Sequence, residues 1–98
     1  MGLALAGSRI AGPRARDLLA RLAGRDVSAT AFRFMDFARF DVGSLPAMVG
    51  RVSYTGDLGY EIWVRPEHQR ALLDLLLATG EDLGIRLFGG RALNSLRL

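Results

Sequence analysis

Apolar and polar residues follow two different periods along this chain, and Gly and Pro mark where one gives way to the other. The first apolar run, Leu3-Ala4-Leu5-Ala6, has no polar break and ends at Gly7. Such a run predicts a strand buried on both faces. Gly12-Pro13 then opens a helix, because Pro at the first helical position gives up no needed N–H and presets φ. Ala15, Leu18, Leu19 and Leu22 follow at helical spacing, a one-sided apolar stripe. Arg14, Asp17 and Arg21 face away, with Asp17 and Arg21 spaced as an i,i+4 ion pair. Gly24 supplies the predicted stop.

Residues 32–42 change to period two. Phe32, Phe34, Ala38, Phe40 and Val42 fall on one face, and Arg33, Met35, Phe37, Arg39 and Asp41 on the other. Alternation rich in aromatic residues predicts a strand. Gly43-Ser44-Leu45-Pro46 turns the chain, and Ala47 to Ser53 is the partner strand of a hairpin over 32–53. Thr55-Gly56-Asp57-Leu58-Gly59 is a second turn. Tyr60 to Val64 is a third strand, with Tyr60, Ile62 and Val64 on one face and Glu61 and Trp63 on the other. Pro66 opens a second helix, running to 79, with Glu67 in its first turn where the helix dipole favours an anion. Leu72, Leu73, Leu75, Leu76 and Leu77 give it a wide apolar surface, suited to lying on a sheet and touching a second element. Gly80 stops it. Ile85 to Phe88 reads as a short edge strand, and Gly89-Gly90 leads to a last helical stretch over 91–97.

The predicted order is β-α-β-β-β-α-β-α. Helices separated by an antiparallel hairpin predict an α+β fold: an antiparallel sheet with helices on one face, close to ferredoxin-like. The strand at 60–64 is the departure from the simple form.

Composition narrows the function classes. Of 98 residues, 50% are hydrophobic and 23% charged, which argues against disorder. There is no Cys, so no disulfide framework and no thiolate zinc site. The single His, His68, excludes a multi-His metal site within one chain; in the first turn of a helix it is expected to face solvent. No apolar run nears the ~20 residues of a membrane span, and Arg9 interrupts the apolar start before a signal-peptide core forms. The expected setting is therefore cytoplasmic, with no membrane partner. All 13 basic residues are Arg, against 10 acidic residues, for a net charge of +3. Guanidinium groups grip phosphates, so nucleic-acid binding is one reading. Codon bias in a GC-rich bacterial genome is the other, and the spread from Arg9 to Arg97 favours it, because a phosphate-binding footprint gathers on one face. Phe32-Arg33-Phe34 and Phe37 lack the Gly-rich consensus of ring-stacking RNA motifs, and Gly89-Gly90 is not followed by a phosphate-loop pattern.

One stretch carries chemistry: Arg51-Val52-Ser53-Tyr54-Thr55-Gly56-Asp57-Leu58-Gly59-Tyr60-Glu61-Ile62-Trp63-Val64. A β-turn-β unit accounts for Gly56 and Gly59 but not for Glu61. A carboxylate at the centre of a strand, between Tyr60 and Ile62, is a poor strand former. If buried, it needs hydrogen-bond donors. A planar heterocycle with adjacent N–H and NH2 groups would satisfy both oxygens, and Tyr54 and Trp63 could supply aromatic walls.

The run Ser53-Tyr54-Thr55-Gly56-Asp57-Leu58-Gly59-Tyr60-Glu61-Ile62 resembles the tetrahydrofolate-binding motif of glycine-cleavage T-proteins, the aminomethyltransferases. It is closer to the version in dimethylglycine and sarcosine dehydrogenases, which carry this folate-binding domain behind a flavin domain. Ala11-Gly12-Pro13-Arg14-Ala15-Arg16-Asp17-Leu18-Leu19 resembles the family's strand-to-helix step, and Ala92-Leu93-Asn94-Ser95-Leu96-Arg97-Leu98 its final segment. The resemblance covers essentially the whole chain.

The resemblance implies that Glu61 holds the pterin's N–H and amino edge and that Tyr54 contacts the folate. T-proteins place an Arg near the folate in the final helix; Leu93 stands there in this chain, as an apolar residue does in the dehydrogenase relatives. The family's catalytic Asp and its C-terminal barrel have no counterpart here, and Asp36, Asp41 and Asp57 are not substitutes. No catalytic residue is assigned. Residues 1–98 are expected to form a single partial domain, the central part of the folate-binding domain. The implied activity is tetrahydrofolate-dependent one-carbon transfer from a methylamine-derived unit, giving methylenetetrahydrofolate, with FAD involved only if a flavin domain precedes. In isolation the chain is expected to be inactive and to bind folate weakly or not at all. Two rival readings stand beside it. One is a non-catalytic basic module for nucleic acid or a protein partner. The other is self-association through apolar surface near Phe34 and Phe37 or along the helix 66–79.

Overall fold

The computed structural model describes the backbone of residues 3–28, 30–54, 57–83 and 86–96, and the side chains within 5–28, 30–52 and 58–83. Its elements are β1 (Leu3–Ala11), α1 (Ala15–Leu22), β2 (Phe37–Val42), β3 (Leu45–Tyr54), β4 (Asp57–Val64), a 3-10 turn (Pro66–His68), α2 (Gln69–Thr79) and β5 (Arg86–Leu96). The strands make one sheet in the order β2-β3-β4-β1-β5, every neighbouring pair antiparallel. The class is α+β, as the patterning predicts.

Both helices cover one face. Leu18 and Leu19 of α1 and Leu72 and Leu76 of α2 share a core with Ile10, Val42, Val49, Tyr60, Ile62 and Val64. The period-two assignment for 60–64 holds: Tyr60, Ile62 and Val64 are buried, while Glu61 and Trp63 are on the other face. Burial raises the Tyr60 phenol above its ordinary pKa, against the opposing pull of the Arg16 and Arg51 guanidiniums.

The last element corrects the prediction. Residues 91–96 are not helical; they continue β5, which pairs along β1 from Leu3↔Leu96 to Ala11↔Arg86. The observed order is β-α-β-β-β-α-β. Local propensity favours a helix here, but the free edge of β1 offers a row of unpaired N–H and C=O groups, and tertiary pairing overrides propensity.

β1 likewise runs past Gly7 to Ala11. Gly7 does not end the strand; it admits a neighbour, since a Cβ there would lie 2.7 Å from Cζ3 of Trp63. The strand ends at Gly12, whose φ of 130° suits glycine and whose N–H donates to the Leu58 carbonyl at 3.0 Å. α1 begins two residues after Pro13, with Arg14 at its N-cap.

The segment 32–36 is the second correction. β2 starts only at Phe37. The Asp36 carboxylate accepts from the Arg33 N–H at 2.7 Å, Met35 takes φ 68°, and Met35 donates to the Arg51 carbonyl at 2.8 Å. A carboxylate that binds its own neighbouring backbone stabilises a turn against a strand. Phe32 is consequently buried, while Phe34 and Met35 face outward. The β2–β3 turn is also tighter than predicted, because Val42 pairs directly with Leu45. Pro46 lies inside β3, opposite Asp41 and beyond the end of the β4 ladder, where no partner requires its missing N–H. β3 and β4 extend to Tyr54↔Asp57, and Thr55 and Gly56 lie outside the described residues.

Asp17 pairs with Arg14 at 3.1 Å. Arg21 instead reaches Asp82 with two hydrogen bonds, of 2.9 and 3.2 Å, and donates to the Thr79 carbonyl at 2.9 Å. It thus ties α1 to the end of α2 and satisfies a C-terminal carbonyl there. Hydrogen bonding from Arg21 holds the Asp82 carboxyl below its ordinary pKa. A folded-state value below the unfolded one means that this contribution is complete above the ordinary carboxylate range and is lost as pH falls through the folded value. Asp82→Asn is therefore expected to lower the urea midpoint at neutral pH and to make the acid limb of stability shallower. An acid limb of unchanged slope would show that the pair contributes nothing.

Candidate functional site on the open face of the sheet

The face of the sheet away from the helices is organised in cross-strand rows. In one row Phe37 of β2 pairs with Gly50 of β3, Gly50 with Glu61 of β4, Glu61 with Arg9 of β1, and Arg9 with Phe88 of β5. In the next, Arg39 pairs with Met48, Met48 with Trp63, Trp63 with Gly7 and Gly7 with Arg91. In the first row Phe37 stands beside Gly50, and in the second Trp63 stands beside Gly7. The Trp63 ring lies over Gly7, and the Phe37 ring lies over Gly50 so closely that a Cβ on Gly50 would collide with it. The glycines let the rings lie flat on the sheet.

Glu61 sits between these features. Its side chain is only 19% exposed although it stands on the open face. Oε1 lies 3.2 Å from Nε of Arg9, whose side chain is 47% exposed. The site brings the Glu61 carboxylate and the Arg9 guanidinium together on a face that also carries the apolar ring surfaces of Phe37 and Trp63.

Tyr54 ends β3 opposite Asp57, at the same parity as Gly50 and Val52. Four strand residues from Gly50, it stands about 13 Å along the sheet from the row of Glu61. Its side chain lies outside the described residues, as do those of Asp57, Arg91 and Leu93. Leu93 occupies β5, opposite Leu5, and not a helix. Asp36 is engaged in its turn, and Asp41 is exposed on β2. His68, expected at the surface, is half-buried at the end of the 3-10 turn, with Nδ1 covered. Among the described residues no helix is long and apolar enough to cross a membrane.

Arg9 is the residue the sequence reading missed. A strand ending at Gly7 leaves Arg9 in a loop. A signal was present, because Gly7, Arg9 and Ala11 alternate with Ser8 and Ile10, and buried Ile10 fixes the inward parity. What could not be read is that Arg9 lies opposite Glu61, since that pairing joins segments some fifty residues apart.

A profile of the GCVT N-terminal domain matches residues 3–98. The chain belongs to the GCVT N-terminal domain family. It is 40% identical over 89 residues to mitochondrial dimethylglycine dehydrogenase of Mus musculus, covering 91% of this chain and 10% of that protein. It is 38% identical over 94 residues to 4-methylaminobutanoate oxidase (formaldehyde-forming) of Paenarthrobacter nicotinovorans, covering 96% of this chain and 11% of that one. Sarcosine oxidase subunit alpha of Corynebacterium sp. (strain P-1) is 36% identical over 95 residues, covering 95% and 10%. The chain thus spans about a tenth of the length of these relatives. The family membership and the dimethylglycine dehydrogenase likeness agree with the resemblance carried by the 53–62 motif.

Proposed function

We propose that this chain is the central part of a larger tetrahydrofolate-binding domain, in an enzyme that transfers a one-carbon unit derived from an N-methyl amine. The observation that carries the reading is Glu61: a carboxylate four-fifths covered on the sheet face away from the helices, in the row of Phe37 and next to the row of Trp63. Its oxygens accept the N–H and amino edge of the pterin, and Phe37 and Trp63 give apolar surface for the ring system. Tyr54, at the same strand parity, contacts a more distant part of the folate. Tetrahydrofolate supplies the nitrogen that takes up the one-carbon unit. The chain's own residues bind and orient it, and the acid–base group belongs to residues outside this chain. FAD enters only with a flavin domain outside it too. The relatives whose names refer to dimethylglycine, sarcosine and 4-methylaminobutanoate support an N-methylated amine as the source of carbon.

The arginines favour this reading over a nucleic-acid module. Arg9, Arg14, Arg21, Arg33, Arg65 and Arg70 each pair with a carboxylate. Arg25 lies over the Phe32 and Phe40 rings, at 5.5 and 5.4 Å. These positions are spread over strands, helices and turns, and most of their charge is met locally. Exposed Phe34, Met35, Phe37 and Leu77 extend the proposal to self-association of the free chain.

The test is a tetrahydrofolate titration, by calorimetry, of a polypeptide in which the flanking domain regions are supplied. Glu61→Ala is expected to weaken binding by roughly a hundredfold, the scale of two hydrogen bonds to a charged group. Equal affinity for wild type and variant overturns the assignment of Glu61.

A further inference from the structure

Tyr60 is the largest fully buried side chain of the described core, and its hydroxyl has no hydrogen-bond partner among the described residues. The groups around it are cations. Arg51 is its cross-strand neighbour in the β3–β4 ladder. Arg16 stands in the first turn of α1, and the chain entering that helix is fixed to β4 by the Gly12 N–H on the Leu58 carbonyl. Burial raises the Tyr60 pKa and the Arg16 and Arg51 guanidiniums pull against it, so both cations act on this one phenol. Nε of Arg16 and Nε of Arg51 are buried without a partner as well. Arg51 gives Nη1 to the Phe32 carbonyl at 3.1 Å. Among the described residues neither arginine makes an ion pair, unlike the arginines matched to carboxylates elsewhere in the chain. Buried donors are normally satisfied, and a guanidinium can only donate. Three buried donors from three elements therefore gather in one place, and none has an acceptor.

We propose that Arg16, Arg51 and Tyr60 form an oxyanion-binding site on the helix side of the sheet, which takes a phosphate or carboxylate group. The two guanidiniums supply charge-assisted hydrogen bonds, and the phenol O–H adds a neutral donor. The site lies on the opposite face of β4 from Glu61 and does not depend on the reading of Glu61. The hydroxyl itself is covered, but both arginines are half-buried. An anion enters by parting the ends of two long side chains and displaces no backbone. A cation finds no acceptor there and meets two like charges, so the site rejects it.

The probe is inorganic phosphate, titrated at millimolar concentration against chloride of equal ionic strength. The arginine Nε–H resonances of the 98-residue chain, which holds all of these donors, are followed by proton–nitrogen NMR. Phosphate is expected to move the Arg16 and Arg51 resonances along one saturable curve. Arg16→Gln is expected to weaken binding by about tenfold or more, the scale of one hydrogen bond to a charged group. Tyr60→Phe keeps the ring that stacks on Phe32 and removes only the O–H. It is expected to weaken binding by about threefold or more, yet to melt no lower than wild type in phosphate-free buffer, because a buried donor without an acceptor is gone. Arg70→Gln, in an exposed pair with Asp74 on α2, is expected to leave the curve unchanged. The same titration on a polypeptide with the flanking domain regions supplied identifies the source of the anion. Binding there marks a site for a free oxyanion. Binding to the 98-residue chain alone shows that a carboxylate of the flanking regions fills the site. Phosphate binding to neither polypeptide, or wild-type affinity in both Arg16→Gln and Tyr60→Phe, overturns the proposal.

Discussion

Phe32→Ala is expected to destabilise the chain by about 3–5 kcal/mol, a large share of the total for a domain of this size. Phe32 is 1% exposed in a segment that is not part of the sheet. Its ring stacks on Tyr60 at 6.0 Å with an interplanar angle of 6°, and meets Phe40 edge-on at 6.0 Å. The Arg25 guanidinium covers the same ring, and the Phe32 carbonyl accepts from Arg51 at 3.1 Å. One side chain thus pins the 32–36 turn to the face of β4 that carries the core. Truncation removes the buried ring and strips Tyr60 of its stacking partner. Phe34→Ala, two residues away at a 58% exposed position, is expected to change stability by no more than about 0.5 kcal/mol. Urea denaturation of the two variants beside wild type decides. Similar midpoints for both would show that the turn is not held by Phe32.

Leu72→Ala is expected to destabilise by about 2–5 kcal/mol, because Leu72 is fully buried where α2 packs on the sheet. Leu77, on the same helix, is 59% exposed, and its replacement by Ala is expected to be nearly neutral. The helix carries leucines at 72, 73, 75, 76 and 77, yet only Leu72 and Leu76 are buried. Thermal unfolding followed by circular dichroism separates them; equal losses for Leu72→Ala and Leu77→Ala would mean that α2 is seated differently.

Helical spacing located α1 and α2, because i,i+3 and i,i+4 neighbours are local and their pattern is written in consecutive residues, but it did not show that only Leu72 and Leu76 of the α2 leucines are buried. Alternation assigned the two faces of 60–64, and so put Glu61 opposite the core, for the same reason. The limits of β1 and β4 were less legible, since Gly7 was read as a strand end and Gly59 as part of a turn. Gly7 instead makes room for Trp63, as Gly50 within β3 does for Phe37, a function that shows only when the neighbouring strand is known. Alternation alone extended β2 back to Phe32, because nothing in it reveals that Asp36 binds the Arg33 N–H.

The amino-acid sequence by itself determined the α+β class, the two helices, the parity of the strand bearing Glu61, and the motif that identifies the family. Those follow from local periodicity and from residue types at short spacing. Only the tertiary structure decided that 91–96 is a strand, that Phe32 is buried while Phe34 is not, and that Arg9 stands against Glu61. Each of these depends on which strand edge lies beside which. That choice is settled by closing loops between distant segments and burying one common face, and no window of neighbouring residues contains it.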